Sequence, residues 1–313
     1  MHVVALVHAY LPHHLAGSER MMQELLATLV RRGHTATVLT TTQQLEDYTF
    51  EGVEVRAHSD ATQAAIKPDL LISHHNESSR TGRWARVARI PLVYVLNDDF
   101  ASNLRAVHSF RPNLLVVNSR WLYRSVASGS VPKLIVHPRV DPARHHTKRG
   151  TKVTLVNLSE NKGADTFYAI ADRMPNVNFL GIEGVYGRQV IHHMPNVEIR
   201  KPHHDPRTIW ADTRILLMPS KYESYGMVAI EAGASGIPTI AHPTLGLLES
   251  LSYAGTFVDR ADIEGWVGAL VNLLGPANRQ ASSLAQARTA ELDTMAELET
   301  WADHAERLHH KNS

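Results

Sequence analysis

Two glutamates, Glu223 and Glu231, stand eight positions apart in the stretch PSKYESYGMVAIEAGASGIP (219–238), among small and apolar residues. On one continuous α-helix that separation amounts to about 800°, leaving the pair roughly 80° and two turns apart, a poor geometry for a shared ligand. The stretch reads better as two elements. RILLM (214–218) is a buried strand ending at Pro219, KYESYG is a loop, and MVAIEAGAS is a helix closed by Gly236 and Pro238. Glu223 then lies on the loop and Glu231 inside the helix, beyond the carboxyl end of a strand, where open α/β sheets bind ligands. The helix N-terminus, with its unpaired N–H groups and positive dipole end, suits a phosphate. A carboxylate beyond that phosphate would accept hydrogen bonds from vicinal sugar hydroxyls, which suggests a nucleotide bearing a sugar. The spacing alone leaves a blander alternative, one Glu opposing the helix dipole and one solvated.

The elements that must position these groups repeat twice. VVALVHA (3–9), a loop with Pro12 and Gly17, a helical segment with Met22, Leu25, Leu26, Leu29 and Val30 in register, and ATVLT (36–40) after Gly33 make a strand–helix–strand unit. Strand, helix, strand implies parallel pairing. Further apolar runs follow at VEV (53–55), DLLIS (69–73), LVYVL (92–96), LLVVN (114–118) and KLIVH (133–137), continuous as in strands covered on both faces. PRVDPARHHTKRG (138–150) has no periodicity and marks a domain boundary. The pattern restarts with KVTLVN (152–157), a helix over 163–174, VNFLGIE (177–183), VEIR (197–200), a short helix near 206–212 and RILLM. PTIAH (238–242) and FV (257–258) complete the strands, with helices near 262–274 and 279–309. The expected architecture is α/β, with an N-terminal Rossmann-like domain over 1–143 and a second over 151–295. A C-terminal helix over 296–313 is expected to pack back on the first.

The chain has 313 residues, 43% hydrophobic and 20% charged, the balance of a soluble globular protein. It contains no cysteine, so disulfides and thiolate metal sites are excluded. No apolar run approaches the ~20 residues of a membrane helix. The N-terminus reads as a strand without a basic leader, and a cytoplasmic location is the expectation. The formal charge of +1 hides an asymmetry. From Arg80 to Arg139 there are nine Arg and one Lys against Asp98 and Asp99, a balance of +8 that leaves −7 for the rest. Such a block attracts an anionic partner, or is simply a solvated Arg-rich face.

Read as a whole, the stretch resembles the signature of retaining glycosyltransferases of the GT-B fold, the large family four, group 1 type with a Glu-x7-Glu spacing. Pro219, Ser220, Glu223, Ser224, Tyr225, Gly226, Glu231, Gly236, Pro238, Gly246 and Glu249 match in order. The opening AGSERMMQELLATLVRRGHTATVLTT resembles the family's Gly-rich loop and helix, with Gly17 kept and Ala16 in place of the first glycine. NSRWLYRS (118–125) resembles the segment closing the first domain, and LVNLSENKGAD (155–165) the phosphate loop opening the second. The resemblance implies two Rossmann-like domains facing across a cleft, and sugar transfer from a nucleotide-diphosphate sugar to an acceptor hydroxyl with retention of configuration. It implies no cofactor and no metal, since fixed cations and helix dipoles take over that role. Glu223 would hold donor-sugar hydroxyls and Glu231 the ribose. Ser224, Tyr225, Gly226 and the amides of Met227 and Val228 would approach sugar and diphosphate, and Lys162 would stabilise the leaving phosphate.

Two positions depart from the family pattern. Asn157 stands where an Arg is usual, five residues before Lys162, and can donate a hydrogen bond but brings no charge. Relatives with this Asn carry a Gly-rich stretch like GIEGVYG (181–187), which makes it a subfamily trait. Asn97, followed by Asp98 and Asp99, stands where many members carry a His near the sugar's primary hydroxyl, and is expected to help orient the sugar. The first domain would take the acceptor. Arg80, Arg83, Arg86 and Arg89 at a three-residue period suggest an anionic one: a phosphate-bearing lipid, a nucleic acid or an acidic glycan.

Twenty histidines include six adjacent pairs, 13–14, 74–75, 145–146, 192–193, 203–204 and 309–310. Neighbours point apart on a strand and about 100° apart on a helix, so a pair is a poor chelate and most are expected at the surface. His13, His14 and His74 are read as facing the acceptor. Two other functions fit the same donor signature: a GT-B epimerase or hydrolase using Asp98, Asp99 and histidines as acid and base, and a catalytically silent nucleotide-sugar binder.

Overall fold

A computed structural model of the chain describes residues 1–42, 46–185, 187–292 and 294–310. Two compact units divide it, Met1–Arg139 with Thr294–Ser313, and Val140–Asp293. The expected divisions were at 143, 151 and 295.

The first unit is an eight-stranded sheet in the order β3-β4-β2-β1-β5-β6-β7-β8. Its strands are β1 (His2–Val7), β2 (Thr35–Thr40), β3 (Tyr48–Phe50), β4 (Val53–Ala57), β5 (Leu70–His74), β6 (Leu92–Leu96), β7 (Leu114–Val117) and β8 (Lys133–Ile135). Pairing is parallel except for the short β3, antiparallel to β4 at the edge. Around the sheet run α1 (Gly17–Arg31), α2 (Asp60–Ala65), α3 (Ser78–Ala88), α4 (Ala101–Phe110) and α5 (Arg120–Ser125). The apolar runs are continuous because both faces of the central strands are covered. Val3, Ala5 and Val7 join Met22, Leu25, Leu26 and Leu29 of α1 in one core. Val4 and Leu6 meet Ala85, Ala106, Val107 and Leu122 of α3, α4 and α5 in the other.

The second unit is a six-stranded, all-parallel sheet in the order β11-β10-β9-β12-β13-β14. Its strands are β9 (Lys152–Val156), β10 (Phe179–Ile182), β11 (Val197–Arg200), β12 (Thr213–Met218), β13 (Thr239–Ala241) and β14 (Gly255–Phe257). Counted within the unit this is the 3-2-1-4-5-6 order of dinucleotide-binding sheets. Its helices are α6 (Pro142–His145), α7 (Ala164–Arg173), α8 (Arg207–Trp210), α9 (Met227–Gly233), α10 (Leu245–Leu251), α11 (Ile263–Leu274) and α12 (Asn278–Glu291). Phe167, Ile170, Trp266 and Leu270 of α7 and α11 cover one face. Trp210, Ala229, Ala232 and Leu247 of α8, α9 and α10 cover the other.

The last helix, α13 (Met295–His310), returns to the first unit. Sequence periodicity runs through 279–309 as one helix, and the structure divides it after Glu291. The division follows the packing. Arg288 donates to the Ser250 and Glu249 carbonyls of the second unit. Trp301, fully buried, donates through Nε1 to the Leu25 carbonyl of the first at 3.0 Å. No Gly or Pro marks the break, so pattern alone could not place it.

Candidate active site

The second sheet reverses its winding between β9 and β12, and open α/β sheets bind ligands beyond the strand ends at such a point. The 157–163 loop leaves β9 and the 219–226 loop leaves β12. They approach closely. A Cβ on Gly163 would come within 2.4 Å of Pro219, so only glycine, here at φ +93°, permits the contact. The Lys221 N–H donates to the Asn161 carbonyl at 2.8 Å.

Across this junction Lys162 Nζ donates to Glu223 Oε1 at 2.6 Å, and Ser220 Oγ donates to the same oxygen at 2.9 Å. The Glu223 side chain is 11% exposed and that of Lys162 32%. Cation and carboxylate thus share a half-sheltered rim. Tyr225 turns away from it and is buried with Val140 and Ile230, anchoring the loop. Gly226, at φ +89°, caps α9, and a Cβ there would strike Leu247 at 2.5 Å. Gly246 of α10 lies directly under the loop, where a Cβ would meet the Glu223 carbonyl oxygen at 2.3 Å. Ser224, Met227 and Val228 remain half-buried; the Ala229 N–H turns back to the Gly226 carbonyl at 3.0 Å, while the N–H groups of Met227 and Val228, at the first two positions of α9, have no intrahelical acceptor. Glu231, the fifth residue of α9, is 8% exposed, with Oε2 3.9 Å from Nδ1 of the buried His145.

Asn157 does local work. Its φ of +72° is a conformation Asn tolerates better than most residues. Its Oδ1 accepts from the Ser159 N–H at 3.1 Å and from Gln189 Nε2 at 3.2 Å. Gly184 packs on its carboxamide and donates its N–H to Gln189 Oε1. The Gly-rich stretch 181–187 is therefore paired with Asn157 by geometry. Tyr186, within that stretch, lies outside the described residues.

Asn97 and Gly17 belong to the first unit, Asn97 just after β6 and Gly17 opening α1. Asn97 Nδ2 is buried without a hydrogen-bond partner among the described residues. Asp98 accepts from Asn103 Nδ2 at 2.7 Å and lies 3.2 Å from His75 Nδ1. Burial pushes its carboxyl up, but hydrogen bonds from His75, Asn103 and the Phe100 N–H outweigh this and hold it below its ordinary value. His74 is buried at the end of β5, and neither ring nitrogen has a partner among the described residues. Burial first, then His75 and His8, keep it well below the usual histidine range. His13 is exposed, edge-on to Tyr48 at 5.1 Å, and His14 is half-buried. Among the described residues no three His, Asp or Glu side chains are placed to hold a metal ion, and no helix is long and apolar enough to cross a membrane.

The four arginines at a three-residue period are all exposed around α3, but they are not alike. Arg80 pairs with Glu77 at 3.2 Å. Arg86 lies over the Phe110 ring at 4.9 Å and donates to the Ser109 carbonyl. Arg83 and Arg89 have no ion-pair partner among the described residues.

One residue of the site goes unmarked in the sequence. Arg260 donates to the Pro219 carbonyl at 2.8 Å and to the Glu160 carbonyl at 2.7 Å, reaching both loops. A lone arginine beyond the matched motif carries no spacing signal.

Residues 154–275 match the family described as glycosyl transferases group 1. The D-inositol 3-phosphate glycosyltransferase of Mycobacterium avium (strain 104) is 32% identical over 91 residues, 28% of this chain and 22% of that protein. The sucrose synthase of Acidithiobacillus caldus is 33% identical over 101 residues, 31% of this chain and 13% of that protein. The matches thus span about a fifth or less of the curated relatives' own length. Two solved structures match over nearly the whole chain. The sucrose-phosphate synthase from Thermosynechococcus elongatus has a TM-score of 0.77 at 15% identity, covering 99% of both chains. Anabaena HepE, solved in complex with UDP and glucose, has a TM-score of 0.78 at 18% identity, covering 97% of this chain and 99% of that one. Two parallel α/β units and solved structures of like fold converge: this chain has the GT-B fold, and its residues 154–275, which carry the Lys162–Glu223 pair at the winding reversal, match the glycosyl transferases group 1 family.

Proposed function

We propose that the protein transfers a sugar from a nucleotide-diphosphate sugar to an acceptor hydroxyl, with retention of anomeric configuration and without a divalent metal. The observation that carries this reading is the Lys162–Glu223 pair at the winding reversal of the second sheet, beside the Gly226-capped start of α9. A diphosphate needs positive charge and N–H donors, which Lys162 and the first-turn amides of Met227 and Val228 supply. Glu223, which accepts from Ser220, is assigned to accept from sugar hydroxyls. Glu231 lies further along α9 and is assigned the ribose, with Ser224 at the sugar–phosphate junction. Tyr225 and Asn157 act by shaping the two loops. Asn97 of the first unit is assigned to orient the sugar, and Gly17 to let the backbone approach the donor.

In a retaining transfer of this type the leaving phosphate accepts the proton from the attacking hydroxyl on the same face. The protein's part is then alignment and stabilisation of charge on the departing phosphate. HepE, of like fold, has been solved with UDP and with UDP-glucose, which makes a UDP-sugar the first donor to try. The acceptor is proposed to be anionic, drawn to the α3 face through Arg83 and Arg89. A thermal-shift screen against UDP-, GDP- and ADP-sugars tests the donor reading, because a ligand specific to the folded state raises Tm by mass action. A rise with one nucleotide class supports it, and no rise with any contradicts it. Free sugar released with no added acceptor would favour a hydrolase, and tight binding with no turnover a silent binder.

A further inference from the structure

We propose that Arg260 is a positioning residue: its guanidinium clamps the two loops of the candidate active site together and so sets the Lys162–Glu223 pair. For its functional meaning this rests on the transferase reading, but the clamp itself stands on geometry. Nη1 donates to the Pro219 carbonyl at 2.8 Å and reaches the Asn161 carbonyl at 3.4 Å, while Nη2 donates to the Glu160 carbonyl at 2.7 Å. Glu160 and Asn161 form the 3-10 turn that ends in Lys162. Pro219 opens the loop that carries Glu223. One planar cation therefore holds the main chain of both loops, using the fork geometry that distinguishes arginine from lysine.

Residue 260 is itself fixed at both ends. Its N–H donates to His242 Nδ1 at 3.1 Å, and its carbonyl accepts from Thr166 Oγ1 at 3.5 Å. Apart from the Lys162–Glu223 bond, whose setting is at issue, the side-chain and main-chain links between the loops differ in kind. Lys221 pairs with Glu160 at 2.7 Å on an exposed surface, where such pairs contribute little. The Lys221 N–H bond to Asn161 holds one point only. Loss of the guanidinium should therefore loosen both loops without unfolding the sheet beneath. Arg260 also lines an open pocket of about 500 Å3 with Glu160, Asp165 and Lys221, a route by which a small cation from solvent could take the place of the guanidinium.

The test is hydrogen–deuterium exchange on the full chain, wild type against Arg260→Ala, with no donor present. Three charge-assisted hydrogen bonds are lost, one of them long, so amides in 159–163 and in 219–226 should both exchange about tenfold faster while β9 and β12 keep their protection. Millimolar guanidinium should restore both loops, and ammonium at equal concentration should not, because it lacks the fork. Unchanged exchange in either loop, or equal restoration by ammonium, would overturn the clamp. Should Arg260→Ala fail to fold, Arg260→Lys replaces it: paired loosening of both loops is expected, and full protection of both would overturn the proposal. Nucleotide-sugar binding is scored separately, so a wild-type chain that binds none would sink the transferase reading while leaving the clamp to be judged on exchange alone.

Discussion

The ammonium of Lys162 and the carboxylate of Glu223 lie 2.6 Å apart, joined across the two loops that leave β9 and β12. Each group belongs to a different strand end, so the pair reports directly on whether the loops are in register. It also couples the two proposed roles, charge on the leaving phosphate and grip on the sugar.

Lys162→Ala removes the cation from the developing charge. Turnover should fall about a hundredfold, as for loss of one preorganised donor to a developing anion. Nucleotide affinity should change far less, because the α9 amides remain. Steady-state kinetics with the donor that raises Tm gives both numbers. A higher KM at unchanged kcat would reassign Lys162 to binding alone.

Glu231→Ala should weaken nucleotide binding by about ten- to a hundredfold, the loss expected for hydrogen bonds to a charged group. The folded structure should tolerate it, since α9 continues through an alanine. Unaltered nucleotide affinity in calorimetry would remove Glu231 from the ribose.

Much of this candidate site is legible in the amino-acid sequence. The continuous apolar runs mark the parallel strands, and the loop–helix split of Glu223 and Glu231 follows from their spacing. Three features are not legible there, each because distant packing decides them. Arg260 acts from beyond β14 on carbonyls some forty and a hundred residues earlier. The break after Glu291 reflects two helices claimed by different units rather than a local breaker. Asn157, by type a weak substitute for a phosphate-binding Arg, is held in a positive-φ turn by Ser159, Gln189 and Gly184. No residue type announces that in advance.

Gly246→Ala tests the packing under the Glu223 loop. The added Cβ would sit 2.3 Å from the Glu223 carbonyl oxygen, so the loop must move. Overpacking of this kind costs about 1–3 kcal/mol. Activity should fall further than stability, because a displacement near the reacting groups costs about a hundredfold per ångström. A crystal structure showing Glu223 unmoved in an inactive variant would contradict the explanation.

The docking of α13 on the first unit should weaken in acid. Glu306 is held below its ordinary 4.5, chiefly by its hydrogen bond with His34 and further by Arg32, against a smaller opposing effect of burial. A carboxyl lowered in the folded state stabilises fully above its unfolded value, and that contribution is lost as pH falls through the folded one. Stability should therefore drop below about pH 4.5, and the drop should be shallower in Glu306→Gln. Urea titrations of both proteins from pH 6 downward, with Trp301 fluorescence reporting on α13, measure it. Parallel profiles would rule Glu306 out.

If the acceptor is anionic, its KM should rise steeply with salt while donor binding changes little, and Arg83→Ala with Arg89→Ala should flatten that dependence. A flat wild-type profile would move the acceptor away from the α3 face.

The grip of Glu223 on the donor sugar is most directly measured by calorimetry of Glu223→Gln beside the wild type, titrating first the free nucleoside diphosphate and then its sugar conjugate. Both proteins should bind the nucleotide alike, while the extra affinity contributed by the sugar, present in the wild type, should disappear in Glu223→Gln. Equal affinity of the two proteins for the nucleotide sugar, or no nucleotide binding by the wild type, would contradict the proposed donor site.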